Sequence, residues 1–293
     1  MNQELIKEIL ETTNDVPQNL LVIKQMGGLT NQNFYVRTED NEYVVRIAGE
    51  NTSDYVDRVA EKYNSAIMTK KQIYLKDLFF DEATGNKLTE FIPNNNTFVE
   101  VSGEQRTNAL SNIAMIFSAL HSTTEKFHTE FDYFVEVDKY LAYCNDTKCS
   151  YFKNFDEVKD YIILTKEQYY SFQKNSTPCH IDPLGENFLI TDNKVYLIDW
   201  EYSAMHDKYW DLAAFSLENM LTDEEEFLLL NQYLHHEVDT TIQYRINFYK
   251  IYQDFLWHLW GLYKTALGED FHNYATERFN RCVGNIEKMK AFK

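Results

Sequence analysis

The sequence predicts an α+β protein of two lobes, a small β-rich N-terminal lobe over residues 1–92 and a larger, mainly helical lobe over residues 93–293. Three observations predict it. Short β-like runs separated by Gly and Asn turns fill the first ninety or so positions. Apolar residues then recur at helical spacing through most of the remainder. A chain of 293 residues is also long for one hydrophobic core.

In order, Glu4 to Thr12 reads as a helix with Leu5, Ile6, Ile9 and Leu10 on one side. Leu20 to Met26 and Phe34 to Arg37 read as strands around the turn Gly27-Gly28-Leu29-Thr30-Asn31-Gln32-Asn33. That turn is either a loop whose N–H groups cover phosphates or a plain hairpin turn. Tyr43 to Ile47 is a third strand with Arg46 near its end, and Asp54 to Lys71 is a helix containing Glu61. Arg46 and Glu61 could form a pair that fixes a phosphate-binding cation or an ordinary surface ion pair worth ~0–1 kcal/mol. Asp77 to Phe80 and Lys87 to Ile92 complete the strands. Pro93-Asn94-Asn95-Asn96 then breaks the pattern and marks the boundary.

Beyond it, Glu104 to His121 and Phe155 to Phe172 read as helices, followed late in the chain by Leu212 to Leu221, Thr222 to His235, Thr240 to Leu267 and Phe271 to Lys290. Asp211 reads as the N-cap or a first-turn acid of the Leu212 helix, able to accept backbone N–H bonds from a neighbouring loop. His121, Glu125 and His128 receive no role beyond solvation. Trp257 and Trp260 lie one turn apart and share a face. They are either a core stripe or part of an aromatic cage for a quaternary ammonium, each ring adding ~0.5–2 kcal/mol.

The chain is organised around Pro178 to Tyr202. Phe188 to Ile190 and Val195 to Ile198, joined by Thr191-Asp192-Asn193, read as a hairpin. Antiparallel strands bring Asn187, at the start of one, beside Asp199, at the end of the other. Asp182 sits on the loop just outside. Two such oxygen ligands suit Mg²⁺ held against substrate phosphates, and a third acid suits a base that orients a hydroxyl. The competing reading is a polar hairpin with two turn carboxylates.

Net charge is −18, which argues against a nucleic-acid partner. No apolar run approaches the ~20 residues of a membrane span, and the start of the sequence has no leader pattern, so the expectation is a cytoplasmic protein without membrane insertion. Cys144, Cys149, Cys179 and Cys282 lack zinc spacing and read as free thiols. The pattern leaves the oligomeric state open.

Together these residues resemble the choline/ethanolamine kinase family, bacterial choline kinases in particular, with the protein-kinase-like fold shared with aminoglycoside phosphotransferases. Gly27 to Asn31 is similar to the family's phosphate loop, Tyr43 to Ile47 to its nucleotide strand, and Thr89-Glu90-Phe91-Ile92-Pro93 to its inter-lobe linker. His180 to Asn187, Ile198-Asp199-Trp200-Glu201-Tyr202 and Trp210-Asp211-Leu212-Ala213 resemble its catalytic loop and the two motifs after it. Trp257-x-x-Trp260 resembles the choline-pocket helix.

The resemblance implies phosphorylation of the choline hydroxyl by ATP and Mg²⁺. Asp182 would be the base, and Asn187 and Asp199 the metal ligands. Gly28, Thr30, Asn31, Arg46, Glu61, Glu90, Phe91 and Ile92 would bind nucleotide. Glu201, Tyr202, Glu218, Trp257 and Trp260 would surround the substrate with Asp182, and His180 and Asp211 would be structural. The chain departs from protein kinases in lacking a full G-x-G-x-x-G and in having Arg46 where they use Lys. The segment from Asp199 to Trp210 is also too short for a long activation loop. A kinase of ethanolamine or an aminoglycoside, or a nucleotide-binding scaffold without catalysis, are the rival functions.

Overall fold

The computed structural model describes residues 2–12, 22–28, 31–49, 52 and 56–291. After helix α1 (Asn2–Glu11) come strands β1 (Val22–Gln25), β2 (Gln32–Arg37) and β3 (Glu42–Ile47), helix α2 (Arg58–Lys70), then β4 (Asp77–Phe80) and β5 (Lys87–Glu90). These strands form one antiparallel sheet in the order β1-β2-β3-β5-β4. Alternation decides its faces. Phe34, Val36, Tyr43, Val45 and Leu88 are buried with Ile6, Ile9 and Leu10 of α1, so the helix seals one face of the sheet.

Helix α2 starts at Arg58 rather than Asp54, because Asp57 caps it by accepting from the Ala60 N–H at 3.0 Å. Its Ile67 and Met68 pack into the large core, not under the sheet. Thus α2 touches both halves of the molecule, which matters for Glu61 below.

The remainder is mainly helical: α3 (Gly103–His121), α4 (Tyr133–Asp146), α5 (Phe155–Leu164), α6 (Lys166–Phe172), α7 (Tyr209–Glu218), α8 (Asp223–Leu234), α9 (Thr240–Ala266) and α10 (His272–Ala291). α9 is the axis of this half. It packs on α4, α7 and α10, and almost every residue from Phe248 to Leu262 is buried. Short strands β6 (Asn96–Thr97), β8 (Phe188–Ile190) and β9 (Val195–Leu197) form one small sheet. β7 (Thr177–Cys179) pairs with β10 (Ala204–His206). No helix among the described residues is long and apolar enough to cross a membrane.

Two of these elements differ from the sequence reading and two were not read from it. The segment Phe155 to Phe172 is two helices, broken at Thr165, whose hydroxyl turns back to Tyr161 O and meets the Tyr252 hydroxyl. Helix α4 was not expected. Its stripe of Tyr133, Val137, Tyr140 and Cys144 is buried, and Asp132 caps it. Helix α7 begins at Tyr209, so Asp211 is a first-turn residue and Lys208 holds the cap position. The short strands β7 and β10, paired across the intervening β8–β9 hairpin, were not read as strands.

Gly85, in the β4–β5 turn, has φ +80°, and a Cβ there would lie 2.4 Å from Arg58 Nε. Gly85→Ala combines left-handed strain with that clash. A loss of ~1–3 kcal/mol in urea unfolding is expected. An unchanged midpoint would show that the turn and Arg58 relax freely.

Candidate active site

The β8–β9 hairpin pairs Phe188 with Leu197, and the Ile198 N–H donates to Asn187 O at 2.9 Å. Asn187 therefore sits across from Ile198, with Asp199 next along the chain. Asn187 Nδ2 donates to the Asp182 carbonyl at 3.2 Å, which ties the loop to the hairpin and leaves the amide oxygen to offer. The Asp199 side chain is 37% exposed at the same end. These neutral and anionic oxygens fit a hard divalent cation such as Mg²⁺.

What holds Asp182 is the backbone before it. Ile181, a β-branched residue, has φ +74°, a conformation that costs energy unless its neighbours fix it. They do. Asp211 accepts the Ile181 N–H at 2.8 Å and the His180 N–H at 2.7 Å. Trp210 Nε1 donates to Ile181 O at 3.0 Å. The second residue at positive φ here is Asp199, at +65°. The His180 ring is fully buried, bonds Ile198 O at 2.9 Å through Nε2 and packs edge-on against Trp200. Burial lowers its pKa, which keeps it neutral and consistent with a structural part.

His121, given only a solvation role from sequence, is buried in this brace. Its ring bonds Asp211 Oδ2 at 3.1 Å and the Tyr233 hydroxyl at 2.9 Å. With Cys179 these residues place possible metal-ligand atoms within 4.8 Å of one another. The protein already uses both ring nitrogens and both carboxylate oxygens. Glu125, by contrast, is half exposed and pairs with Lys71. The four cysteines are free thiols, and burial pushes that of Cys179 far up, which removes it as a nucleophile.

On the small-lobe side, Glu61 is the hub. Arg46 Nη1 lies 2.6 Å from it, Arg58 Nη1 2.7 Å and Lys87 Nζ 3.1 Å. Burial alone would raise its pKa, but Lys87 and Arg46 overcome that and hold it ionised, far below the usual range. Arg46 also donates to Gly85 O at 2.9 Å and reaches to 3.5 Å from Asp199. The pair expected from sequence is therefore a buried network. Arg58 and Lys87 were missed, although Arg58 and Glu61 stand at i,i+3 on α2.

The sequence sets Glu201 beside the substrate; in the structure it lines a cavity with Tyr202 and Trp257 and also ties to the small lobe. It accepts from Asn31 Nδ2 at 2.9 Å and from Arg58 at 3.0 Å, joining the halves of the molecule. Asn31, expected at the nucleotide, is 5% exposed; its Nδ2 makes that bridge and its Oδ1 accepts the Gly49 N–H at 3.4 Å. A Cβ on Gly28 would fall 2.2 Å from Asn31 O, so the turn needs glycine there. Thr30 lies outside the described residues. In the linker, the Phe91 N–H donates to Glu42 O, and Ile92 O accepts from Asn95. Glu90 pairs with Tyr43 at the end of β5.

The rings form a chain of contacts. Tyr202 meets Trp257 at 5.9 Å between centroids, Trp257 meets Trp260 at 6.4 Å, and Trp260 meets Tyr274 at 5.6 Å. The Arg278 guanidinium lies 4.7 Å over Tyr274 and forks onto Glu218. Both indoles are nearly buried, at 8% and 6%, and belong to the core. Trp257 also lines a cavity of about 190 Å³ with Tyr140, Tyr202, Glu130, Glu136 and Glu201. Both indoles thus form the core stripe the sequence allowed, and of the two only Trp257 also borders this cavity. Tyr274 and Arg278, i and i+4 on α10, were missed because α10 carries no motif.

These observations are matched by similarity. The family model for choline/ethanolamine kinase matches residues 22–283. The chain belongs to the choline/ethanolamine kinase family. Protein LicA of Haemophilus influenzae is 27% identical over 93% of this chain and 82% of its own length. The choline kinase LicA of Streptococcus pneumoniae superposes with a TM-score of 0.85 at 31% identity, covering 98% of this chain and 99% of that one. A structure of LicA in complex with AMP gives 0.82 at 30%, over 99% and 98%. Spectinomycin phosphotransferase, at 13% identity, TM-score 0.62 and 98% coverage of each chain, shares the fold alone. The kinase-like fold implied by the sequence is thereby established, with aminoglycoside phosphotransferases as distant structural relatives.

Asp182 is half-buried. Burial, then Glu218 and Asp199, raise its pKa well above the ordinary value, and Arg278 only partly offsets them. An acid raised in the folded state stabilises fully below its unfolded pKa of ~3.9 and costs stability as pH climbs toward the folded value. Asp182→Asn is therefore expected to raise the Tm at neutral pH, with the gain shrinking toward pH 4. An equal Tm difference across that range would place the carboxyl in an unperturbed setting.

Proposed function

We propose that this kinase transfers the γ-phosphoryl group of ATP, with Mg²⁺, to the hydroxyl of choline. The observation that carries the reading is the convergence of Asp182, Asn187 and Asp199 at one end of the hairpin, on a loop braced through Ile181 by Asp211 and Trp210. Phosphoryl transfer needs positioning and charge neutralisation more than covalent help, and a braced loop supplies the first.

The roles follow from chemistry. Asp182 accepts a hydrogen bond from the substrate hydroxyl and aims its oxygen. Asn187 and Asp199 would hold Mg²⁺, which when bound neutralises phosphate charge. Arg46, fixed by Glu61 and Gly85, would meet a phosphate from the side facing Asp199. With the Phe91 N–H already donated to Glu42, adenine pairing in the linker would fall to backbone groups of Glu90 and Ile92. The AMP complex of the similar LicA supports a nucleotide in this cleft.

Choline rather than another alcohol rests on the rings. A trimethylammonium donates no hydrogen bond, so aromatic faces must hold it. Tyr202, Trp257, Trp260 and Tyr274 lie in one continuous run of contacts, and Tyr274 is close enough to Asp182 to feel its charge. Glu218 stands near Asp182 and supplies the counter-charge. The cavity beside Trp257 adds Glu130 and Glu136. Those acids favour ethanolamine as the second reading, since its ammonium keeps N–H donors. A cytoplasmic location suits substrates and a nucleotide of that compartment.

Asp182→Asn is expected to lower kcat by ~10²–10⁴ while keeping the wild-type fold by circular dichroism. Near-normal turnover would remove Asp182 from its role. ADP release measured across choline, ethanolamine and an aminoglycoside should be greatest with choline, and equal activity with ethanolamine would remove the part given to the rings.

A further inference from the structure

Arg278 has no part in the reading so far, yet it occupies the group a substrate cation would seek. Its two terminal nitrogens donate one to each oxygen of Glu218. Asp254 lies behind, 3.4 Å from Arg278 and 2.6 Å from Arg281. Two carboxylates therefore face two guanidiniums, and the quartet, buried except for Arg281, carries no net charge. Arg278 itself is 6% exposed and stacked on Tyr274. The arrangement is expensive to bury, since each charge gives up water.

We propose that Arg278 is a specificity-determining residue, which fills the acceptor sites of Glu218 so that the pocket favours an ammonium without N–H groups. This inference rests on the choline reading above and extends it. A carboxylate offers about four lone-pair sites, and a bidentate fork takes the best-placed two. A primary ammonium brings three donors out of water. It finds Glu218 half filled with a guanidinium behind it, so part of its lost hydration is not replaced. A trimethylammonium brings no donors and loses nothing of this kind. It asks for no acceptor, only for ring faces such as those of Tyr202 and Trp257, which line a cavity with Glu130, Glu136 and Glu201. The discrimination comes from denying acceptors to the competitor, not from extra attraction to choline.

The test is a series of substrates graded by methylation: ethanolamine, its N-methyl and N,N-dimethyl forms, and choline. With the unaltered enzyme, kcat/KM should climb along the series. Arg278→Lys offers Glu218 a single nitrogen in place of a two-nitrogen fork and frees an oxygen. It is expected to raise the ethanolamine-to-choline ratio of kcat/KM by about tenfold, the worth of roughly one charge-assisted hydrogen bond. A merely structural defect would lower both substrates together and leave the ratio alone. A folded Arg278→Lys enzyme with an unchanged ratio overturns the proposal, as does a flat or falling series in the unaltered enzyme. Should the single variant lack a cooperative melt, Arg278→Gln combined with Asp254→Asn removes one charge of each sign and takes the same measurement, judged by the same ratio. If no member of the series is turned over by the unaltered enzyme, the choline reading fails, and that result is distinct from a series that reacts without discrimination.

Discussion

The carboxylate of Asp211 is the contact on which the site depends. It draws in two consecutive N–H groups, those of His180 and Ile181, and so holds a β-branched residue at φ +74°. An unbraced chain would not stay there, at a cost of order 1–3 kcal/mol. The price is met by packing elsewhere: Trp210 is wholly buried and donates to the same residue's carbonyl, and His121 ties Asp211 to Tyr233 of α8. Three helices thereby fix the direction of one side chain, Asp182. The precision of the loop comes from the helical core, not from the loop's own sequence.

A second constraint joins the halves of the molecule. Three carboxylates, Glu61, Glu201 and Asp199, face three cations, Arg46, Arg58 and Lys87. Each cation is nearly sealed from water, so none can lose its partner cheaply. The positions come from separate elements: β3, α2, β5 and the segment after the hairpin. A cluster of this kind sets the registry of the small sheet over the catalytic loop, because displacing one member leaves another unpaired.

The sequence made the local pieces legible and the long-range pairings illegible. Strand, turn and helix signals around Asp182, Asn187 and Asp199 were strong because hairpin chemistry is written in adjacent residues. Arg46 and Glu61 could be paired because one strand and one helix suffice. Lys87 and Gly85 could not, since each joins Glu61 or Arg46 only after the sheet has closed; Arg58, three residues before Glu61 on α2, was within local reach and was overlooked. The second tie of Glu201 was illegible for the same reason: nothing local says that Asn31, 170 positions away, donates to its oxygen. Helix α4 was overlooked although its stripe of Tyr133, Val137, Tyr140 and Cys144 is regular, because charged residues between them diluted the pattern. Tyr274 and Arg278 sit on a helix with a plain amphipathic face, and only the tertiary fold sets them against Glu218.

The bridge from Asn31 to Glu201 has a consequence for how the cleft breathes. The amide of Asn31, just ahead of β2, donates to an acid from the opposite half, and its oxygen accepts the Gly49 N–H. A ligand that claims this amide, or the neighbouring Arg58, must win it from Glu201. Such a ligand would loosen the clasp as it binds, and by thermodynamic reciprocity anything that loosens the clasp would strengthen that ligand. Asn31, Arg58 and Glu201 would thus link any competition for that amide to the contact between the two halves of the molecule.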